Sequence, residues 1–320
     1  MLEAIRNAAL GDGVFGEDPT VNELEALAAK KMGKEAALLV SSGTQGNLVS
    51  ILSHTNRGEE IILEADAQIY HYELGGLSAI AGVLPRLVKG EMGVLAPEAV
   101  EDAIRPPDPH FPKTTLLCLE NTHNLAGGTC LTPSQTRKLC EVAAKHGLSV
   151  HLDGARIFNA AVALGVDVKD LVAPVDSVMF CLSKGLSAPI GSLVVGSSSF
   201  IERAHRMRKM LGGGMRQAGI IAAAGLVALE KMVDRLREDH ANARLLAEGL
   251  AKIDGIKIDL KTVQTNIIMF DVSGLGLTGS EFIEALSNYG VKALTVRGNV
   301  IRMVTHRGIL RDDILETLDA

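Results

Sequence analysis

The chain has 320 residues, of which 47% are hydrophobic and 22% charged, with a formal charge of −6. That length points to about two domains and to a core that needs no disulfides. The acidic balance argues against nucleic acid as a routine partner, because phosphate binding needs a basic surface.

In chain order, the N-terminal MLEAIRNAAL carries Glu3 and Arg6 and lacks the uninterrupted apolar core of a signal peptide. Thr20-Val21-Asn22-Glu23 reads as a capping box, so a helix is expected from there to about Gly33. A strand over Glu35–Val40 leads through the turn Ser41-Ser42-Gly43-Thr44 into another helix. Further strands are predicted at Glu60–Leu63, Val83–Val88 and Thr114–Leu119. Thr132-Pro133-Ser134-Gln135 is a second capping box, whose helix should end near Gly147. Strands over Leu148–Leu152, Ser177–Leu182 and Gly191–Val195 complete an α/β pattern of about seven strands. The apolar stretch Ala218 to Leu229 is too short to span a bilayer and reads as a buried helix. Beyond about residue 235 the rhythm changes: long helices precede a strand at Asn266–Val272, a helix near Gly279–Asn288 and a strand at Val300–Val304. The expected division is a large domain over 1–238, with an N-terminal arm, and a smaller α+β domain over 239–320. Cys118, Cys130, Cys140 and Cys181 form no C-x-x-C pair and read as buried reduced thiols of a cytoplasmic protein.

Four features stand at the ends of predicted strands, where open α/β sheets place ligands. Ser42-Gly43-Thr44 opens a helix whose unpaired N–H groups would cradle a phosphate, without the lysine of a P-loop; the alternative is an ordinary turn. In His151-Leu152-Asp153-Gly154-Ala155-Arg156 a strand delivers Asp153, which suits a protonated pyridine nitrogen or else a helix cap. Ala155 leaves flat space for an aromatic ring, and Arg156 suits a substrate carboxylate or a surface ion pair. Lys184, in Cys181-Leu182-Ser183-Lys184-Gly185, closes a strand that reads as buried. A desolvated lysine is an amine nucleophile toward an aldehyde, and a snorkelling lysine is the rival. Gly212-Gly213-Gly214-Met215-Arg216 is a glycine-rich approach to a helix whose arginine can reach a phosphate, from its own subunit or a neighbour; the rival is a flexible interhelical loop. His123, in a loop just past a strand, is better placed for catalysis than His151, which reads as a satisfied core histidine. No grouping has metal-ligand spacing, and no G-x-G-x-x-G follows a strand as a dinucleotide site requires.

The segments GDGVFGEDPTVNELE, SSGTQGN, ENTHN, HLDGARIFNA, CLSKGLSAPIGS, RKMLGGGMRQAG and VIRMVTH together resemble the low-specificity L-threonine aldolases. These are pyridoxal-phosphate enzymes of fold type I, and the similarity runs from about Gly11 to about His306. The resemblance implies the PLP-dependent transferase-like fold, with a mostly parallel sheet, and retro-aldol cleavage of L-threonine or L-allo-threonine to glycine and acetaldehyde. It implies that Lys184 holds pyridoxal 5'-phosphate, that Asp153 meets the ring nitrogen, and that Gly43, Thr44 and Arg216 contact the phosphate. Arg156 and Arg302 are implied to clamp the substrate carboxylate, and His123 to lie near its hydroxyl. The family's ring-stacking histidine, in the pattern His-x-Tyr-x-Tyr/Phe-Glu, aligns with Gln68, while His71 lies three residues later. The family's leading Asp-Leu-Arg-Ser-Asp-Thr segment, which lends a serine to the substrate carboxylate, is not among these residues. A homotetramer with sites at a dimer interface is also implied. The alternatives are a cofactor-binding homologue serving as an oligomer partner, and a related lyase or transaminase.

Overall fold

The computed structural model describes residues 1–320. Seven strands form the main sheet: β1 (Ala36–Val40), β2 (Glu60–Glu64), β3 (Leu84–Val88), β4 (Thr114–Glu120), β5 (Ser149–Asp153), β6 (Ser177–Cys181) and β7 (Ser192–Gly196). Their order is β1-β7-β6-β5-β4-β2-β3, with β7 antiparallel to both neighbours and all other pairs parallel. The central strands β2, β6 and β7 are buried along their whole length, as strands covered on both faces must be. The edge strand β3 carries Pro85 and is half exposed, a position where a missing N–H is tolerated.

One face of the sheet is covered by the helices Pro19–Met32, Pro133–Lys145 and Gly219–Lys231, whose apolar stripes join a core of 43 buried residues. The helix Gly43–His54 covers the other face and sits unusually close to it. A Cβ on Gly46 would lie 2.6 Å from Met179 Cγ, and one on Gly43 would lie 3.0 Å from Cys181 Sγ. Both glycines therefore set how near this helix comes to β6.

The helix Pro19–Met32 is capped two residues earlier than its sequence suggests, and Thr20 is not its cap. Asp18 caps it, accepting from Thr20 N (3.1 Å) and Val21 N (3.0 Å). Its other oxygen accepts from Gly11 N (3.2 Å) and Gly219 N (3.0 Å), so one buried carboxylate ties the N-terminal arm to two helices. Thr20 instead donates its hydroxyl to Ala9 O (2.7 Å).

The C-terminal part holds an antiparallel sheet, β8 (Ile267–Asp271), β9 (Leu294–Arg297) and β10 (Val300–Val304), in the order β8-β10-β9. Strand β9 was not expected from sequence, because its side chains are mostly exposed and carry little apolar signal. The two cores share one helix, Leu236–Leu250: Leu236 belongs to the large core, and Ala243, Leu246 and Leu250 to the smaller one. No helix is long and apolar enough to cross a membrane.

Asp18→Ala would strand four N–H donors at a buried junction. The expected cost is about 2–4 kcal/mol, seen as a lower apparent Tm; an unchanged Tm would show that water replaces the carboxylate.

Candidate active site

The parallel strands deliver their carboxyl ends to one edge of the sheet. Glu64 ends β2, Glu120 ends β4 and Asp153 ends β5. Lys184 lies in the loop 182–191 that joins β6 to β7, where Leu182 N–H donates to Gly191 O (3.1 Å) and Ser187 N–H to Lys184 O (2.9 Å). Gly185 is required there, since a Cβ would lie 2.9 Å from both Asn159 Oδ1 and a Leu236 methyl.

Asp153 is 1% exposed. Its Oδ1 accepts from Ala155 N (3.0 Å) and its Oδ2 from Asn47 Nδ2 (2.9 Å). It caps no helix, because the next one starts at Ile157 with Arg156 at its N-cap. No cationic side chain forms an ion pair with it, and a buried carboxylate left so is costly. A positive group carried by a ligand would complete it.

Arg156 and Arg302 present the opposite deficit. The Nε atoms of both are buried without a hydrogen-bond partner, and neither guanidinium forms an ion pair, Glu120 and Asp153 acting on Arg156 only across space. Burial lowers the affinity of Arg156 for its proton; burial and the facing Arg156 push Arg302 down to about 10. Two unpartnered guanidiniums side by side form a fork for a ligand carboxylate. One comes from the large sheet's edge and the other from β10.

The turn before the 43–54 helix is pinned by Ser42, whose Oγ accepts from Gln45 N (3.2 Å), and by Gln45, whose Oε1 accepts from Ser41 N (3.0 Å). The first N–H groups of that helix lack intrahelical partners by geometry, which suits a phosphate. The glycine-rich loop lies on this turn: a Cβ on Gly213 would meet Gln45 Nε2 at 2.3 Å. Arg216 is paired with Asp12 (2.7 Å) and sits over the Phe15 ring, so the N-terminal arm holds its guanidinium.

His123 lies buried with Nε2 3.0 Å from Glu64 and 3.8 Å from Glu120, while Ala126 N–H donates to Nδ1 (3.2 Å). Burial opposes a charge on the ring, but Glu120 and Glu64 outweigh it and draw the imidazole toward its protonated form. The Ala126 bond fixes the tautomer of the neutral ring, because a proton on Nδ1 would face that N–H; in that form the proton sits on Nε2, toward Glu64. Gln68 N–H donates to Glu120 Oε2 (2.7 Å), and its side-chain oxygen accepts from Asn124 Nδ2 (2.9 Å). His71 is exposed and bound to Ala65 O (2.9 Å), so Gln68 is the residue that reaches Glu120.

The sequence reading missed Asn47, Glu64, Glu73 and Glu120. Glu73 is buried, and its Oε1 accepts from the same Asn47 amide nitrogen (2.8 Å) that serves Asp153. Burial, then the Asp153 charge, push Glu73 up to about 8, with Lys184 offsetting part of this.

Comparison with known proteins fits this geometry. The Beta-eliminating lyase family matches residues 1–273. The low-specificity L-threonine aldolase 1 of Arabidopsis thaliana is 50% identical over 99% of this chain and 90% of its own length. The chain belongs to the low-specificity L-threonine aldolases. The Escherichia coli K12 threonine aldolase is 44% identical over 99% of this chain and 92% of its own. The solved structure of the Leishmania major threonine aldolase superposes with a TM-score of 0.84 at 19% identity, covering 99% of this chain and 93% of that one, and so shares the fold.

In this threonine aldolase, Glu73 keeps its proton in the folded state to about pH 8, whereas an unfolded carboxyl loses it near 4.5. The folded chain thus binds the extra proton between those values, and stability falls as pH rises through that window. Glu73→Gln has no proton to lose. Its apparent Tm relative to the parent should climb between about pH 4.5 and 8 and level off above, by the equivalent of roughly 1–3 kcal/mol. A pH-independent difference would mean that Glu73 is ionised.

Proposed function

We infer that the protein uses pyridoxal phosphate to cleave L-threonine and L-allo-threonine to glycine and acetaldehyde. The observation that carries this reading is the charge pattern at the sheet edge: a buried anion without a cation at Asp153, and a pair of guanidiniums without an anion at Arg156 and Arg302. Lys184, which forms no ion pair, stands in the turn beside them. A ligand with a cationic ring nitrogen, an aldehyde and a bound amino-acid carboxylate supplies each missing partner.

The residues present fit that cofactor. Gly43, Thr44 and Arg216 would hold its phosphate, Asp153 its ring nitrogen, Lys184 its aldehyde carbon, and Ala155 and Gln68 the ring itself. When bound, it supplies an aldehyde for the amines and a ring that withdraws electrons from Cα. Arg156 and Arg302 clamp the substrate carboxylate, which fixes the bond at Cα that breaks. His123 removes the β-hydroxyl proton at Nδ1, its unprotonated nitrogen, which for this exchanges the Ala126 N–H for the substrate hydroxyl. The Cα–Cβ bond then breaks, acetaldehyde leaves, and a proton returned to Cα completes glycine.

We further assign a cytoplasmic homotetramer with sites at a dimer interface, and a domain division at 238/239 inside the shared helix. Four buried free thiols support the location. Leu74, wholly exposed one residue from Glu73, supports a covered surface beside the site. Light scattering should give about four times the 33.8 kDa chain mass; the monomer mass would refute the assembly.

With cofactor and L-allo-threonine, Lys184→Ala should release acetaldehyde only at the background rate, and equal rates in variant and parent would sink the reading. Arg302→Gln should raise KM by about 10–100-fold, and His123→Asn should lower kcat by about 100-fold.

A further inference from the structure

Asn47 and His54 are seven residues apart on the 43–54 helix, two full turns, so they lie on one stripe. His151 and Asp153 are two apart on β5 and share one face. The register of β5 and β6 places Ser177 beside His151. Because Gly43 and Gly46 let the helix approach β6, these five residues meet in one layer between helix and sheet.

They form a continuous chain of hydrogen bonds. His54 Nε2 is 2.7 Å from Ser177 Oγ, Ser177 Oγ is 2.9 Å from His151 Nδ1, and His151 Nε2 is 3.1 Å from Asn47 Oδ1. Asn47 Nδ2 ends the chain on Asp153 Oδ2 (2.9 Å) and Glu73 Oε1 (2.8 Å). Chemistry fixes its direction. The end of the Asn47 amide that faces two carboxyl groups is the NH2, so its oxygen faces His151. His151 Nε2 must then carry the ring proton, Nδ1 must accept from the Ser177 hydroxyl, and Ser177 must accept from His54 Nε2–H. Every donor points toward Asp153 and Glu73. Both imidazoles stay neutral: burial pushes His54 down to about 4 and His151 down to about 3. Hydrogen bonds aligned in this way polarise one another, and the negative end collects the benefit.

We propose that this relay, His54–Ser177–His151–Asn47, holds and orients the Asp153 carboxylate, making Asn47 and His151 positioning residues for the cofactor ring. The proposal rests on the reading that Asp153 meets that ring. His151 is thus more than a filled core position, although it touches neither cofactor nor substrate. The Glu73 arm fastens the same Asn47 amide from a second side and stops it turning.

The test compares Asp153→Ala, Asn47→Leu and Ser177→Ala with the parent. Four quantities are measured: the Kd of the apoenzyme for pyridoxal phosphate by absorbance titration, kcat and KM for L-allo-threonine, and the apparent Tm of the apoenzyme. The expected weakening of cofactor binding is graded along the relay, about 100-fold for Asp153→Ala, about 10-fold for Asn47→Leu and about 3-fold for Ser177→Ala. In the two relay variants kcat should fall while KM stays within about twofold, because the Arg156–Arg302 fork is untouched. If Asp153→Ala weakens binding while both relay variants keep the parent's Kd and kcat, the relay is only packing and the proposal fails; a lowered Tm alone would not rescue it. If Asp153→Ala binds like the parent, the reading of Asp153 fails first and takes the proposal with it. Should Asn47→Leu not fold, Ser177→Ala decides, since it removes one hydroxyl from a fully buried site.

Discussion

The organisation of this enzyme depends on a buried carboxylate that folding leaves without an ion-pair partner. Asp153 ends a central strand, buried, with one oxygen on a backbone N–H and the other on an asparagine amide. Two neutral donors do not repay the desolvation of such a group in full. The parallel strands set it beside Glu120 and, one strand over, beside the turn that carries Lys184. Because β7 runs antiparallel to β6, the loop that carries Lys184 need only reverse the chain rather than cross the sheet.

Much of this architecture could be read from the sequence. Aliphatic runs such as Ile61–Leu63 and Val178–Cys181 have no helical period and announce buried strands. Asp153 and Lys184 stood out because charged residues seldom close such runs. Arg302 was found only through the resemblance, since an arginine inside VIRMV has no signal of its own. Asn47, Glu73 and Glu120 were illegible for a different reason. Each is a single polar residue in an ordinary local pattern, and its partner is far along the chain: Asn47 and Asp153 are 106 residues apart. Periodicity reports which face of an element is buried, and it says nothing about which buried polar groups meet.

The helix start at Pro19 carries a similar lesson. Thr20 and Glu23 have capping-box spacing, yet Asp18 wins because it satisfies donors on three segments and Thr20 could serve only its own helix. The acidic residues of the GDGVFGEDPT segment thereby divide their work. Asp18 anchors the arm to the body of the protein, and Asp12 pairs with Arg216 at the end of the glycine-rich loop.

The two arginines come from different sheets, Arg156 from just beyond β5 and Arg302 from β10. Beyond the effect of burial, their like charges oppose each other there and lower the proton affinity of Arg302, while the shared helix Leu236–Leu250 ties the two cores together. A carboxylate placed between two guanidiniums would turn that repulsion into attraction on both sides. On the proposed reading, the carboxylate of the amino acid to be cleaved would relieve that repulsion for as long as it is bound there.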